Sequence, residues 1–317
     1  MKNENGYWVQ TIYRVGAWLF DHSGPLAPRL ARLGHPLSNY LFRHLFLGKE
    51  RNPLAVNNFF IYHNGIDSYH MQLLAMGMHD RDVDLLLRKA VTAGMTILDV
   101  GAHLGYFSLL SAHLSGPHGT VWAFEPLPRI VELLRMNIEA NGYSQQIHVI
   151  SSAVSNSTQK VLFYVGSVDS MLSSLWQDAA MTAEYLRNQP DSKEFVDCIE
   201  VECTTLDIWA AARNWPNVDL VKLDIEGAEI VALEGMRELK RRNPHLKLII
   251  ELNMRTLPIT GATVEDFWDA LQRCGFNSFS MVERGLVHVQ CRRNWSGIQR
   301  EIGRSGNDRV NLLCETV

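Results

Sequence analysis

The chain has 317 residues, 46% of them apolar and 20% charged, with a net charge of −4. That is enough for one large α/β domain with an appendage, and too little for three ordinary domains. The balance argues against a disordered chain and offers no basic footprint for nucleic acid.

The five cysteines, at positions 198, 203, 274, 291 and 314, form neither a CxxC pair nor a zinc spacing. They read as the reduced thiols of a cytoplasmic protein.

Residues 1–60 form the appendage. Within it "YWVQTIYRVGAWLF" (7–20) is rich in aromatics, but it is short and broken by Gln10 and Arg14, so no stable membrane span is expected. Gly24-Pro25, Pro28, Pro36 and Pro53 cut the segment into helical and irregular pieces. This N-terminal helical extension reads as a lid, a surface contact or a dimer arm that would make a homodimer.

From residue 61 to 317 a single domain is expected, with a regular rhythm from about residue 81. "DRDVDLLLRKAV" has the pattern of an amphipathic helix with an acidic first turn. "TILDVG" follows as a strand, "YFSLLSAHL" as a helix, "TVWAFE" as a strand, "RIVELLRMNIEANG" as a helix and "IHVI" as a third strand. A polar interlude (155–217) holds strands at "KVLFYV" and "CIEVEC" and a helix at "LDIWAAAR". Then come the strand "VDLVKLD", a helix over 227–242, the strand "LKLIIEL", a helix from about 264 and the strand "FNSFSMV". The last strand is either "LVHVQC" or "RVNLLCE". Strands apolar on both faces, alternating with helices, predict a doubly wound, mostly parallel α/β sheet.

In such a sheet ligands bind beyond the carboxyl ends of the strands. The loop there is "LDVGAHLGYFS" (98–108), in which Gly101 and Gly105 would let the backbone approach a ligand. Its G-x-x-x-G spacing is not the nicotinamide fingerprint. Asp99 at the strand tip would repel a pyrophosphate and attract an ammonium. Glu125, ending the next strand in "VWAFEP", can accept the hydroxyls of a ribose. A ligand with a ribose, a cationic amino-acid end and no phosphate describes S-adenosyl-L-methionine. By topology its adenine edge would lie near Ser152 and Ala153.

"ILDVGAHLGYFSLLSA", "AFEP", "NIEANG", "TTLDIW" and "VDLVKLDIEGAEIVALEGM…IIEL" together resemble the FkbM-type methyltransferases over about residues 65–280. The resemblance implies the Rossmann-like class I methyltransferase fold and S-adenosylmethionine-dependent methylation, mostly of hydroxyls on sugars, glycolipids or polyketides. It implies a cofactor and acceptor pocket lined by Asp99, Gly101, Gly105, Glu125 and the "DIEG" turn that holds Asp224, and the expected cofactor-binding set adds Ala102, His103, Pro126, Ser152 and Ala153. His103 departs from the pattern, since related loops usually carry Asn there.

Three carboxylates, Asp224, Glu226 and Glu229, crowd the turn after "VDLVK". Glu229 falls in a first helical turn, where the helix dipole favours a carboxylate. Asp224 would hold the cofactor's methionine end or the acceptor. A hydroxyl acceptor needs its proton removed, and Glu226 is the preferred base, with His63, His70 and His103 as alternatives. Asp224 with Glu251 and Asn253 would offer oxygens to Mg²⁺, a reading not favoured. Ser173 and Ser174 are candidate acceptor contacts. The expected activity is O-methylation of a small-molecule, sugar or natural-product hydroxyl. A carboxyl or amine acceptor, or a non-catalytic cofactor-binding role, are the alternatives.

Overall fold

The computed structural model describes residues 53–63, 80–165, 197–254, 256–283, 286–292, 295–305 and 309–317. Residues 1–52, His70, Ser173 and Ser174 lie outside this set. Across the end of the expected appendage, Leu54–Val56 (β1) and Phe59–Ile61 (β2) pair as an antiparallel hairpin, not a helix. Arg81–Ala90 (α1) follows, with Asp82 and Asp84 in its first turn and Arg88 and Lys89 in its last, each sign suited to its end of the helix dipole. Val83, Leu86 and Leu87 bury its apolar stripe.

The strand–helix alternation then runs Thr96–Val100 (β3), Tyr106–Ser115 (α2), Thr120–Phe124 (β4), Pro128–Ala140 (α3) and Ile147–Ile150 (β5). Ala153–Val154 (β6), Lys160–Val165 (β7) and Asp197–Thr204 (β8) form a small separate sheet in the order β6-β8-β7. Leu206–Ala211 (α4) leads to Leu220–Leu223 (β9), Glu229–Glu234 (α5), Arg237–Arg242 (α6) and Lys247–Asn253 (β10). Val264–Cys274 (α7), Ser278–Glu283 (β11), Leu286–Arg292 (β12), Ser296–Ser305 (α8) and Arg309–Glu315 (β13) complete the described chain.

The main sheet has the order β12-β11-β13-β10-β9-β3-β4-β5. Its run from β10 to β5 is parallel. Both candidates for the last strand are strands, and β13 lies antiparallel between β10 and β11. Side chains alternate between two covered faces. Ile97, Val121, Ala123 and Leu220 pack towards α1, α2 and α3. Leu98, Val100, Phe124, Val221 and Leu223 pack towards the helices α4 to α8. Strand order reverses at β3, which neighbours β4 on one side and β9 on the other, so a crevice opens beyond those strand ends. Among the described residues no helix is long and apolar enough to cross a membrane.

The single helix expected over 227–242 is two, broken at Gly235 and Met236. A side chain at Gly235 would run into the carbonyl of Ser155. Asp207 of the "TLD" block starts the second helix, accepting from Glu238 N at 3.1 Å and Leu239 N at 2.7 Å. Ala232, Leu233, Met236 and Leu239 remain one buried set despite the break.

Asn137 of α3 and Asn141, which caps the end of α3, fasten the β1–β2 hairpin to the domain. Asn137 accepts from Tyr62 N at 2.6 Å and donates to Tyr62 O at 3.1 Å and Leu104 O at 2.8 Å. Asn141 pairs with both backbone groups of Phe60 at an exposed rim. Asn137 is fully buried. Asn137→Ala should therefore cost about 2–4 kcal/mol in urea unfolding, because it strands buried backbone groups, and Asn141→Ala about 1 kcal/mol. Equal losses at the two positions would contradict this anchoring.

Candidate active site

The crevice holds a cavity that opens to solvent, with about 660 Å³ of empty space including its open mouth. Its walls come from the glycine loop, the β4 end, the β5–β6 connection, β7 and the acidic turn. Gly101, His103, Glu125, Pro126, Ser152, Ala153, Asp224 and Glu226 all line it. Phe124, Leu127, Val154 and Phe163 add apolar surface that sequence reasoning did not single out. Phe163 comes from the polar interlude, where only its alternation within "KVLFYV" marks it.

The two loop glycines are explained by packing within the chain. Gly101 has φ 84°, and a Cβ there would overlap the Asp224 carbonyl oxygen. Gly105 has φ 90°, and a Cβ would overlap the Leu134 side chain. Gly105 and Ala102 do not line the cavity; Ala102 N donates to Phe124 O at 2.9 Å. His103 sits between them at φ 49°, the left-handed region that Asn and His enter more readily than most residues. Its backbone N–H donates to Glu125 Oε2 at 3.0 Å.

Glu125 is 5% exposed, and its other oxygen accepts from Leu127 N at 3.0 Å. Burial pushes its carboxyl up to about 7 against those two donors. Each oxygen retains a further lone pair to offer to the cavity.

Asp99 departs from its expected place. It is 1% exposed and does not line the cavity. Ser108 Oγ donates to its Oδ2 at 2.6 Å, and Lys222 Nζ stands 3.6 Å from its Oδ1. The ammonium this carboxylate attracts is thus one from its own chain. Lys222 is 4% exposed, ion-pairs with Asp224 at 3.2 Å and donates to Gly101 O at 3.2 Å. Burial works against its charge, but Asp224 and Asp99 outweigh it and raise its pKa. The sequence did hold a signal, since a lysine inside an apolar strand of a covered sheet must find a buried partner.

The acidic turn is held by its own backbone. Glu229 Oε1 accepts from Ile225 N at 3.0 Å and Oε2 from Gly227 N at 3.0 Å. That self-capped turn puts Glu226 at φ 50°, facing the cavity. Glu226, Asp224 and Glu251 present oxygens within 4.8 Å of one another. Arg309 at the start of β13 reaches Glu226 at 3.8 Å and Glu251 at 3.7 Å. Burial first, then Asp224, push Glu226 up to about 8 and Glu251 up to about 9, while Arg309 opposes both. With Lys222 against Asp224 and Arg309 against the two glutamates, a divalent ion among these carboxylates would sit beside two resident cations. The triad is thus a poor Mg²⁺ site while Arg309 stays in place. Asn253 contacts Glu251 at 3.4 Å. His63 is buried and does not line the cavity.

Comparisons with known proteins follow the same ground. The sequence model of the methyltransferase FkbM domain matches residues 99–278. A protein-L-isoaspartate O-methyltransferase from Methanococcoides burtonii is 35% identical over 105 residues, 32% of this chain and 47% of that protein. The 31-O-demethyl-FK506 methyltransferase FkbM of Streptomyces tacrolimicus is 29% identical over 160 residues, 46% of this chain and 60% of that protein. The chain thus spans about half the length of these curated relatives. A solved SAM-dependent methyltransferase from Aquifex aeolicus aligns at TM-score 0.39 and 16% identity, covering 75% of this chain and 94% of that one. The sheet is the doubly wound sheet of class I methyltransferases. Since the matched domain spans more than half of its residues, the chain belongs to the FkbM methyltransferase family.

Proposed function

We propose that the protein is an S-adenosylmethionine-dependent O-methyltransferase that acts on a hydroxyl of a small-molecule, sugar or natural-product acceptor. The observation that carries the acceptor type is Glu226. It is a cavity-lining carboxyl whose proton affinity is raised to about 8 by burial and by Asp224, the range a general base near neutrality requires. A hydroxyl needs such a base; a carboxylate acceptor does not, and it would face Asp224, Glu226 and Glu251.

The cavity suits the cofactor's chemistry. Glu125 offers oxygens to the ribose hydroxyls, and Phe124, Leu127, Val154 and Phe163 give the adenine an apolar slot beside Ser152 and Ala153. Asp224 faces the methionine end, together with the Gly101 and His103 loop. When bound, the cofactor supplies an electrophilic methyl group on a sulfonium. The chain's own residues orient the acceptor hydroxyl and take its proton at a Glu226 oxygen. Arg309 keeps part of the Glu226 charge tolerable by lying 3.8 Å away.

Carboxyl methylation is the second reading, and the 35% identity to a protein-L-isoaspartate O-methyltransferase favours it. The two separate on one variant. For a hydroxyl acceptor, Glu226→Gln should cut kcat by about 10²–10⁴-fold with S-adenosylhomocysteine affinity nearly unchanged. An undiminished rate in Glu226→Gln would move the assignment to a carboxylate acceptor.

The pH dependence follows from the same carboxyl. The base works only when deprotonated, so kcat/KM should rise about tenfold per pH unit up to about pH 8 and then level. Arg309→Gln removes an opposing positive charge and should shift that rise to higher pH. A profile flat from pH 6 to 9 in the parent would remove Glu226 from the base role.

Cofactor binding has its own check. S-adenosylhomocysteine should raise the melting temperature by mass action, and Glu125→Ala should lose most of that rise. Binding as tight in Glu125→Ala as in the parent would refute the ribose assignment. EDTA should leave turnover unchanged, and restoration by Mg²⁺ after an EDTA loss would overturn the charge balance ascribed to Lys222 and Arg309.

A further inference from the structure

Behind the cavity one buried group, Lys222, stands at a junction that the proposed chemistry does not use. Asp99 and Lys222 are direct register partners on the parallel strands β3 and β9. Side chains two apart on a strand share a face, so Asp224 follows Lys222 on the same side. From there the ammonium reaches two walls of the cavity and a carboxylate behind them. Asp99, which does not line the cavity, lies at 3.6 Å, and the Gly101 carbonyl of the glycine-loop wall at 3.2 Å. Asp224 belongs to the acidic-turn wall, at 3.2 Å. The Phe107 ring lies under the ammonium, 5.2 Å from its centroid.

We propose that Lys222 is a positioning residue for the cofactor's methionine end. It pins the glycine loop to the acidic turn and takes the cation place before Asp99, leaving the cofactor's own ammonium to Asp224. This rests on the cofactor reading above. The walls have little freedom to find this register another way. Gly101 already abuts the Asp224 carbonyl, and Asp224 N donates to Val100 O at 3.2 Å. What the backbone leaves open is the direction of the Asp224 carboxylate, and Lys222 Nζ pairs with it at 3.2 Å. Asp99, closed off by Lys222 and Ser108, acts through Lys222 and touches no ligand.

Calorimetric titration of S-adenosylhomocysteine, with melting temperatures of the same samples, separates this from a purely structural ion pair. Lys222→Met strands the Asp99 charge, so it should lower the melting temperature and weaken binding at least tenfold. Adding Asp99→Asn removes the stranded charge. The double variant should recover most of the melting temperature but not the affinity, because the Asp224 carboxylate has lost the ammonium that directs it. Asp99→Asn alone should bind within about threefold of the parent. If Lys222→Met does not fold, the double variant compared with Asp99→Asn carries the test.

Recovery of affinity together with stability in the double variant would make the pair merely structural and overturn the proposal. A loss of tenfold or more in Asp99→Asn alone, with Lys222 intact, would put Asp99 on the ligand and overturn it too. A parent chain that does not bind S-adenosylhomocysteine at all refutes the cofactor reading itself, and the positioning role falls with it; the variant results count against Lys222 only when the parent binds.

Discussion

A carboxylate and an ammonium set opposite each other on neighbouring strands, both out of water, constrain everything at the carboxyl edge of this sheet. Neither Asp99 nor Lys222 is tolerable alone, because an unpaired buried charge costs several kcal/mol. Together they require β3 and β9 to keep their register, since a one-residue slip would turn one partner to the opposite face. The register in turn brings Gly101 against Asp224 and fixes where the acidic turn begins. The cavity's shape is therefore tied to a charge pair beneath its floor.

Above that floor the balance changes. Lys222 has two carboxylates, and Arg309 has two more at a less buried position. Four acids against two bases leave the mouth with surplus negative charge if all are ionised. Burial resolves this by raising the proton affinities of Glu226 and Glu251. A carboxyl that holds its proton near neutrality and releases it to a small perturbation is the kind of group acid–base chemistry uses. β13 matters here because it lies antiparallel between β10 and β11, which places Arg309 level with Asn253 at the cavity end of β10.

Much of this was legible in the sequence. Apolar strands alternating with amphipathic helices gave away the layered sheet, since that pattern is periodic and local. The cavity-lining Glu125 and Asp224 were legible because they end strands, where topology directs ligands. Lys222 and Arg309 were not assigned, although both stand in the sequence. Their roles depend on pairing across strands far apart in the chain, and no local pattern records which strand neighbours which. The break in the 227–242 helix was hidden for the same reason. Its apolar stripe is continuous through Met236, and the interruption comes from Ser155 pressing on Gly235 and Asp207 capping the second piece. The β1–β2 hairpin is likewise held by side chains of a helix roughly eighty residues later. Asp99 shows the converse error. Its position at a strand tip suggested a ligand contact, but the apolar strand that carries Lys222 supplies the ammonium from within.

The buried carboxyls in and around the cavity also set a direction for stability. Glu125 and Glu229 are pushed up to about 7, Glu226 to about 8 and Glu251 to about 9, burial being the first cause in each case. Every one of them binds its proton more tightly folded than unfolded. Their contribution to stability is thus complete below the ordinary carboxylate range and is lost as pH rises through the folded values. The fold tolerates this because Glu229 is met by three backbone donations and Glu125 by two. Glu226 and Glu251 instead share one guanidinium at 3.7 to 3.8 Å. The carboxyls that backbone donors hold are those that shape the cavity, and the two left to Arg309 sit where an incoming cation would relieve them. A sulfonium ligand carrying its own ammonium would favour ionisation at that mouth, so ligand charge and base strength are coupled through the same few ångströms.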